Sequence, residues 1–340
     1  MPLTSDITID VVKFDPASVS DETAKFNQGL IDRFGPAKKW WEVGAAKFRE
    51  MRRKGETFMA APVLHPDALN IDIPSRASGR SIPCRLMYPS ARKTEEQRKK
   101  CKGTILHIHG GGWVLGDHES TDRLLLHYAD AGDVAVLSAG YRLAPEHPFP
   151  AGPEDCYDVA EYLAKNSTEE YGGPLRFIGG ESAGGHLSLL TAFHLLKVAP
   201  DLHLSGLLLH FGCYDMSLLP QARSYSKPLV LNNEGILKTD EVFLPGMTTE
   251  QKKVPAVSPL YENLENFRGR LPTALFTCGT DDPLLDDSVL MGTKWLIAGG
   301  KAYIKIYPGG AHAFIAFPIS IATEALRDIA EYIKEQMALS

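Results

Sequence analysis

Six short apolar runs, at residues 103–109, 133–140, 175–180, 204–211, 273–278 and 302–307, carry hydrophobic side chains one after another without alternation. A strand with one wet face alternates apolar and polar residues, whereas a continuous run belongs to a strand covered on both faces. Segments of helical periodicity separate several of these runs, at 122–131, 153–164, 183–196 and 288–298, and an amphipathic segment at 319–337 closes the sequence. Two further strand-like runs, at 68–74 and 81–88, precede them. Strands alternating with helices predict an α/β protein whose mostly parallel sheet is flanked by helices on both faces. The 340 residues leave room for two domains, or for one large α/β domain with additions.

Two stretches stand outside the alternation. Residues 17–57 read as helices: Ser20 precedes Ala24, Phe26, Leu30 and Ile31 at helical spacing, Gly35-Pro36 interrupts, and 37–53 places Trp40, Trp41, Val43, Phe48 and Met51 on one face. Residues 214–255, with Pro220, Pro228 and Asn232-Asn233, are longer than an ordinary connection and read as an insertion over the sheet. The charged run 91–102 reads as a solvated loop or surface helix.

Charge and composition exclude several functions. A net charge of −6 gives no electrostatic footprint for nucleic acid or anionic lipid. No apolar run approaches the ~18–20 residues that a membrane helix needs. Residues 1–10 carry Asp6 and Asp10 where a basic leader would stand, so a cytoplasmic protein is expected. The five cysteines, Cys84, Cys101, Cys156, Cys213 and Cys278, are odd in number and widely spaced, which predicts reduced, buried thiols and no structural zinc.

The chemistry is concentrated in three places. Gly180-Glu181-Ser182-Ala183-Gly184 ends one apolar run and opens a helical segment. A sharp strand-to-helix turn needs small residues around a nucleophile and lifts its hydroxyl to the sheet edge, over a helix N-terminus that favours a developing anion. His109-Gly110-Gly111-Gly112-Trp113 follows the run 103–109. Three glycines leave backbone N–H groups free to converge on an oxyanion; a phosphate loop would instead want Lys-Ser/Thr or a Gly-x-Gly-x-x-Gly spacing, and Trp113-Val114-Leu115 supplies neither. His107 and His109 share one strand, but no third metal ligand accompanies them at a recognisable spacing, so no metal site is expected. His312, after the last apolar run, is the candidate base, and the carboxylates lie in Gly279-Thr280-Asp281-Asp282-Pro283-Leu284-Leu285-Asp286-Asp287. The order Ser182, Asp282, His312 is that of an α/β-hydrolase, with Asp281 and Asp286 as alternatives for the acid.

Over roughly residues 68–338 the sequence resembles the hormone-sensitive-lipase-like branch of the α/β-hydrolases, the family IV esterases. The resemblance rests on His109-Gly110-Gly111-Gly112-Trp113, on the run from Tyr141 to Ala151, on Gly180-Glu181-Ser182-Ala183-Gly184-Gly185, and on Asp282-Pro283-Leu284 with His312. It implies the α/β-hydrolase fold with an eight-stranded sheet and a helical cap. It further implies a Ser182–Asp282–His312 triad, an oxyanion hole from the N–H groups of Gly111, Gly112 and Ala183, and hydrolysis of small to medium carboxylic esters without a cofactor. The family's two-part cap fits residues 1–57 and 214–255, leaving 58–213 and 256–340 as the two parts of the core. Trp40, Trp41 and Trp113 are the expected substrate-binding aromatics. The expected partner is a small-molecule ester, with a homodimer left open. Amidase, deacetylase and lactonase chemistry would use the same parts. Plant gibberellin receptors look similar in fold but lack the catalytic histidine, which His312 supplies here. Glu181 stands where the family often has Asp, and Ala313 where it often has Gly.

Overall fold

The computed structural model describes Ser5 and residues 7–339. Eight strands, β1 (Leu69–Pro74), β2 (Ser81–Met87), β3 (Thr104–Ile108), β4 (Ala135–Ala139), β5 (Leu175–Glu181), β6 (Gly206–His210), β7 (Thr273–Asp281) and β8 (Ala302–Ala311), form one sheet in the order β1-β2-β4-β3-β5-β6-β7-β8. β1 and β2 pair antiparallel, as do β2 and β4, and every pairing from β4 to β8 is parallel. Every residue of β3, β4 and β6 is buried, which is why their sequences run apolar without a break. Helices cover both faces. Ala151–Tyr171 and Ala183–Val198 pack together against β3 and β5, and Asp122–Gly132 packs on Ser320–Ala338.

β8 departs from the continuous pattern expected of it. From Ala302 to Ile306 its residues alternate between half-buried and exposed, because β8 is an edge strand with neighbours on one side only. It also runs past the apolar stretch through Pro308-Gly309-Gly310 to Ala311, and its register against β7 slips between Gly279 and Asp281.

The N-terminal helix Asp21–Phe34 starts at Ser20, whose hydroxyl accepts the N–H of Thr23 at 3.2 Å. Its buried face, Thr23, Asn27, Leu30 and Phe34, repeats every three or four residues. The single helix expected over 37–53 is two helices, Trp40–Val43 and Ala45–Lys54. Gly44 separates them at φ +88°, a value outside helical geometry, and turns Phe48 inward beside Trp40.

Leu30 and Phe34 pack with Leu229 and Ala311, so this helix sits on the C-terminal end of β8. Between β6 and β7 lie the helices Pro220–Ser224, Asn233–Phe243 and Thr249–Lys252. The charged run contributes only the short surface helix Glu95–Arg98. All five cysteines are buried and unpaired. Among the described residues no helix is long and apolar enough to cross a membrane.

Candidate active site

The site forms at the C-terminal ends of β3, β5, β7 and β8. Ser182 follows β5 at φ +57°, ψ −118°, a region that side chains other than glycine's seldom enter, and it caps the helix Ala183–Val198. Strain of this kind persists only where the surroundings over-determine it. Here the Ser182 N–H donates to the His210 carbonyl at 2.9 Å, and the turn leaves no room on its inner side. A Cβ on Gly184 would stand 1.9 Å from the Ile108 carbonyl oxygen. The glycine two places after the nucleophile is therefore imposed by backbone contact with β3. Gly184→Ala should displace β3 from the elbow. We expect a loss beyond about 4 kcal/mol, seen as a collapsed thermal melt or insoluble protein; a normal melt would show that the elbow can relax.

The Ser182 hydroxyl lies 2.8 Å from His312 Nε2, and His312 Nδ1 lies 2.9 Å from Asp282 Oδ2. The second oxygen of Asp282 accepts the Leu284 N–H at 2.8 Å. Asp282 is 0% exposed and His312 5% exposed, so this hydrogen-bonded chain is shielded from competing water. The other candidate acids point elsewhere. Asp281 pairs with Lys227, and Asp286 accepts the Gln221 N–H at 3.0 Å.

The glycine loop follows β3 and runs beside the elbow. Gly111, Gly112 and Trp113 all have positive φ, at +118°, +60° and +59°. The Gly111 carbonyl accepts from Val114 and Leu115, closing the loop into a turn, while the N–H groups of Gly111, Gly112 and Ala183 enter none of the loop hydrogen bonds. Arg49, on the helix Ala45–Lys54, ties that loop to the N-terminal segment by donating to the carbonyls of Val114 and Ala144 and to Glu146.

A cavity of about 880 Å³ opens over Ser182 and His312. Phe34, Trp40, Trp41 and Phe58 line it from the N-terminal segment, and Leu229 and Ile236 from the segment between β6 and β7. Trp40 and Trp41 meet edge to face at 5.8 Å. Trp113 also reaches the cavity wall but is only 5% exposed. Its indole N–H donates to His186 Nδ1 at 3.1 Å and its ring stacks on Phe243 at 4.7 Å, so most of its surface is spent on packing the loop.

The remaining buried histidines have their own partners. His109 Nδ1 meets the Gly110 carbonyl at 2.8 Å, its ring stacks on Tyr141 at 4.3 Å, and burial pushes its pKa down to about 4. His186 and His210 are likewise lowered to about 4 by burial. Among the described residues, no group of three His, Cys, Asp or Glu side chains could hold a metal ion.

Several residues at the site carried no motif. Beneath the elbow, His107 Nε2 lies 3.0 and 3.1 Å from the two Glu181 oxygens, and its Nδ1 lies 2.8 Å from Ser138 Oγ. Burial alone would raise the Glu181 pKa, but the hydrogen-bonded His107 imidazole outweighs it and holds the carboxyl below its usual range. A His on a continuous apolar strand, two residues before His109, was the available signal for this pair. Asn27, Gln221, Tyr225 and Lys227, which grip the loop carrying Asp282, had no local signal except Asn27, a polar residue on an apolar helix face.

Residues 105–316 match the model of a family described as the alpha/beta hydrolase fold. The chain is 29% identical over 308 residues to an esterase of Acinetobacter venetianus, an alignment covering 88% of this chain and 97% of that protein. It is 26% identical over 295 residues to the carboxylesterase NlhH of Mycobacterium tuberculosis, covering 84% of this chain and 85% of the other. A hyperthermophilic esterase from the archaeon Pyrobaculum calidifontis superimposes with a TM-score of 0.78 at 26% identity, over 95% of this chain and 99% of that one. A family match over most of the chain, a sheet of the same architecture and the ordered motifs agree: the chain belongs to the α/β-hydrolase fold family, in its hormone-sensitive-lipase-like branch.

Proposed function

We propose that this carboxylic ester hydrolase acts on small to medium esters through Ser182, His312 and Asp282. One observation carries the reading: the unbroken hydrogen-bonded chain from the Ser182 hydroxyl to the Asp282 carboxylate, at 2.8 and 2.9 Å, under an apolar cavity. In the proposed mechanism, Ser182 Oγ attacks the ester carbonyl as His312 Nε2 takes its proton, and Asp282 holds the imidazole by its Nδ1–H and stabilises the cation. The N–H groups of Gly111, Gly112 and Ala183 receive the oxyanion, at roughly 3–4 kcal/mol per donor by analogy with studied oxyanion holes. His312 passes its proton to the leaving alcohol. It then activates water against the acyl-enzyme, returning the serine.

The cavity favours apolar acyl groups, since Trp40, Trp41, Phe58 and Leu229 supply apolar surface to cover. Trp40 and Trp41 are the proposed substrate-binding aromatics of the N-terminal cap piece. Five unpaired buried thiols fit a reducing compartment, and we propose the cytoplasm.

The test is a series of p-nitrophenyl esters of increasing acyl length, run beside the matching p-nitroanilides. We expect turnover of the esters, with KM falling as methylenes are added, at ~0.8 kcal/mol per buried group, until the cavity is filled. Cleavage of the anilides in preference to the esters would replace the esterase reading with an amidase.

A further inference from the structure

His312 depends on a backbone irregularity just before it. β7 and β8 pair Gly279 with Tyr307 and next Asp281 with Ala311, so Thr280 alone faces Pro308, Gly309 and Gly310. A bulge of this kind leaves peptide groups without ladder partners and re-aims the residues beyond it. The side chain redirected here is that of His312, three residues beyond Gly309. Both polar groups of the Gly309 residue are taken by side chains. Its N–H donates to Thr280 Oγ1 at 2.7 Å, and its carbonyl accepts from Asn27 Nδ2 at 2.8 Å.

Thr280 belongs to the strand that carries the acid. Asn27 comes from the N-terminal helix, 282 residues away in sequence, and is 7% exposed. The same Asn27 amide faces Asp281 Oδ2 at 3.4 Å, so both of its N–H bonds point at oxygens. Asp281 in turn pairs with Lys227, and its backbone carbonyl accepts the Tyr225 hydroxyl at 2.7 Å. Val19 and Thr23 press on the same spot: a Cβ at Gly309 would stand 2.5 and 2.9 Å from their methyl groups.

We propose that Asn27 and the Asp281–Lys227 pair are positioning residues, which lock the bulge so that His312 and Asp282 meet Ser182 in register. The two segments that wall the cavity then serve a second purpose, each fixing one side of the acid–base pair. Asp282 needs no more than its own hydrogen bonds to orient the imidazole. The path of the chain into His312, however, runs through a carbonyl that Asn27 holds from the N-terminal helix. The proposal rests on the triad reading given above.

Asn27→Asp keeps the shape but turns a donor into a carboxylate facing the Gly309 carbonyl and Asp281. We expect kcat on p-nitrophenyl butyrate to fall by about tenfold to about 100-fold, the size of effect that small misplacements produce, with KM held within about twofold. A damaged pocket wall would instead raise KM and leave kcat. Lys227 is half-exposed, so Lys227→Met should fold whatever happens to Asn27→Asp. It should lower kcat by about threefold, and Lys227→Arg should restore it by re-forming the pair. An unchanged kcat in Lys227→Met, or a change confined to KM in Asn27→Asp, would overturn the proposal. Fluorophosphonate labelling of wild-type Ser182 separates the two readings. An unlabelled wild type sinks the triad itself, whereas a labelled wild type with wild-type kcat in both variants sinks the positioning role alone.

Discussion

Replacing Ser182 by alanine should lower kcat on p-nitrophenyl butyrate by a factor of up to ~10⁶, by analogy with serine protease triads, while the melting transition changes little. The hydroxyl hydrogen-bonds to His312 Nε2, and its removal leaves the elbow backbone and the Ser182 N–H bond to His210 in place. The alanine methyl fits wherever the serine Cβ did, so the strained φ of +57° is neither relieved nor worsened. The measurement pairs stopped-flow burst kinetics with labelling by a serine-directed organophosphate and peptide mapping. Loss of turnover together with loss of label at Ser182 is the expected pair of results. Turnover near the wild-type rate would remove Ser182 from the mechanism.

The second large effect separates three neighbouring carboxylates. Asp282→Asn should cost about 10⁴ in kcat, because the amide can present N–H to His312 Nδ1 and favour the wrong tautomer. Asp286→Asn should cost almost nothing, since Asp286 serves the Gln221 N–H and not the imidazole. Asp281→Asn falls between, at about tenfold or less, through the loss of its charge pair with Lys227. Measured kcat values for the three variants give the order directly. If Asp281→Asn were the most damaging, the acid would be misassigned, and the 2.9 Å contact of Asp282 with His312 would not persist in the working enzyme.

Fold and site were legible in the sequence to different depths. β3, β4 and β6 are covered on both faces, so their apolar runs had one physical reading. The order β1-β2-β4-β3-β5-β6-β7-β8 had no such signal, because a strand buried on both faces does not say which neighbour it takes. β8 misled for the opposite reason. Ala302, Ile304 and Ile306 face inward, but Tyr303 lies on the open edge and reads as hydrophobic all the same. The break at Gly44 was hidden because the apolar positions on either side keep nearly helical spacing, while the chain leaves helical φ at one residue only.

Within the site, Ser182 and the glycine loop could be read locally because their chemistry requires special backbone, and special backbone requires glycine nearby. His312 and Asp282 needed chain order as well. Asn27 showed only as a polar residue on an apolar helix face, and Thr280 and Lys227 could not be read at all. Their partners are a single carbonyl, a single N–H and a surface carboxylate, and none of these imposes a residue type on its surroundings. Trp113 shows a further limit. An aromatic beside the glycine loop suggests a substrate contact, but the same ring can fill the gap between that loop and Phe243.

The docking of the helix Asp21–Phe34 on β8 also constrains how the protein is made. The helix is synthesised about 280 residues before part of its seat: Leu30 and Phe34 pack on Ala311, and Glu22 accepts the N–H of Ser320 at 3.2 Å. At ordinary translation rates the part of its apolar face that meets β8 waits on the order of tens of seconds to be covered. Phe58 and Leu229 can cover part of that face earlier, but the seat on Ala311 forms only when the parallel pairing of β8 with β7 has closed. Chains halted before β8 should therefore be both inactive and prone to chaperone capture, and catalytic competence should appear late and all at once.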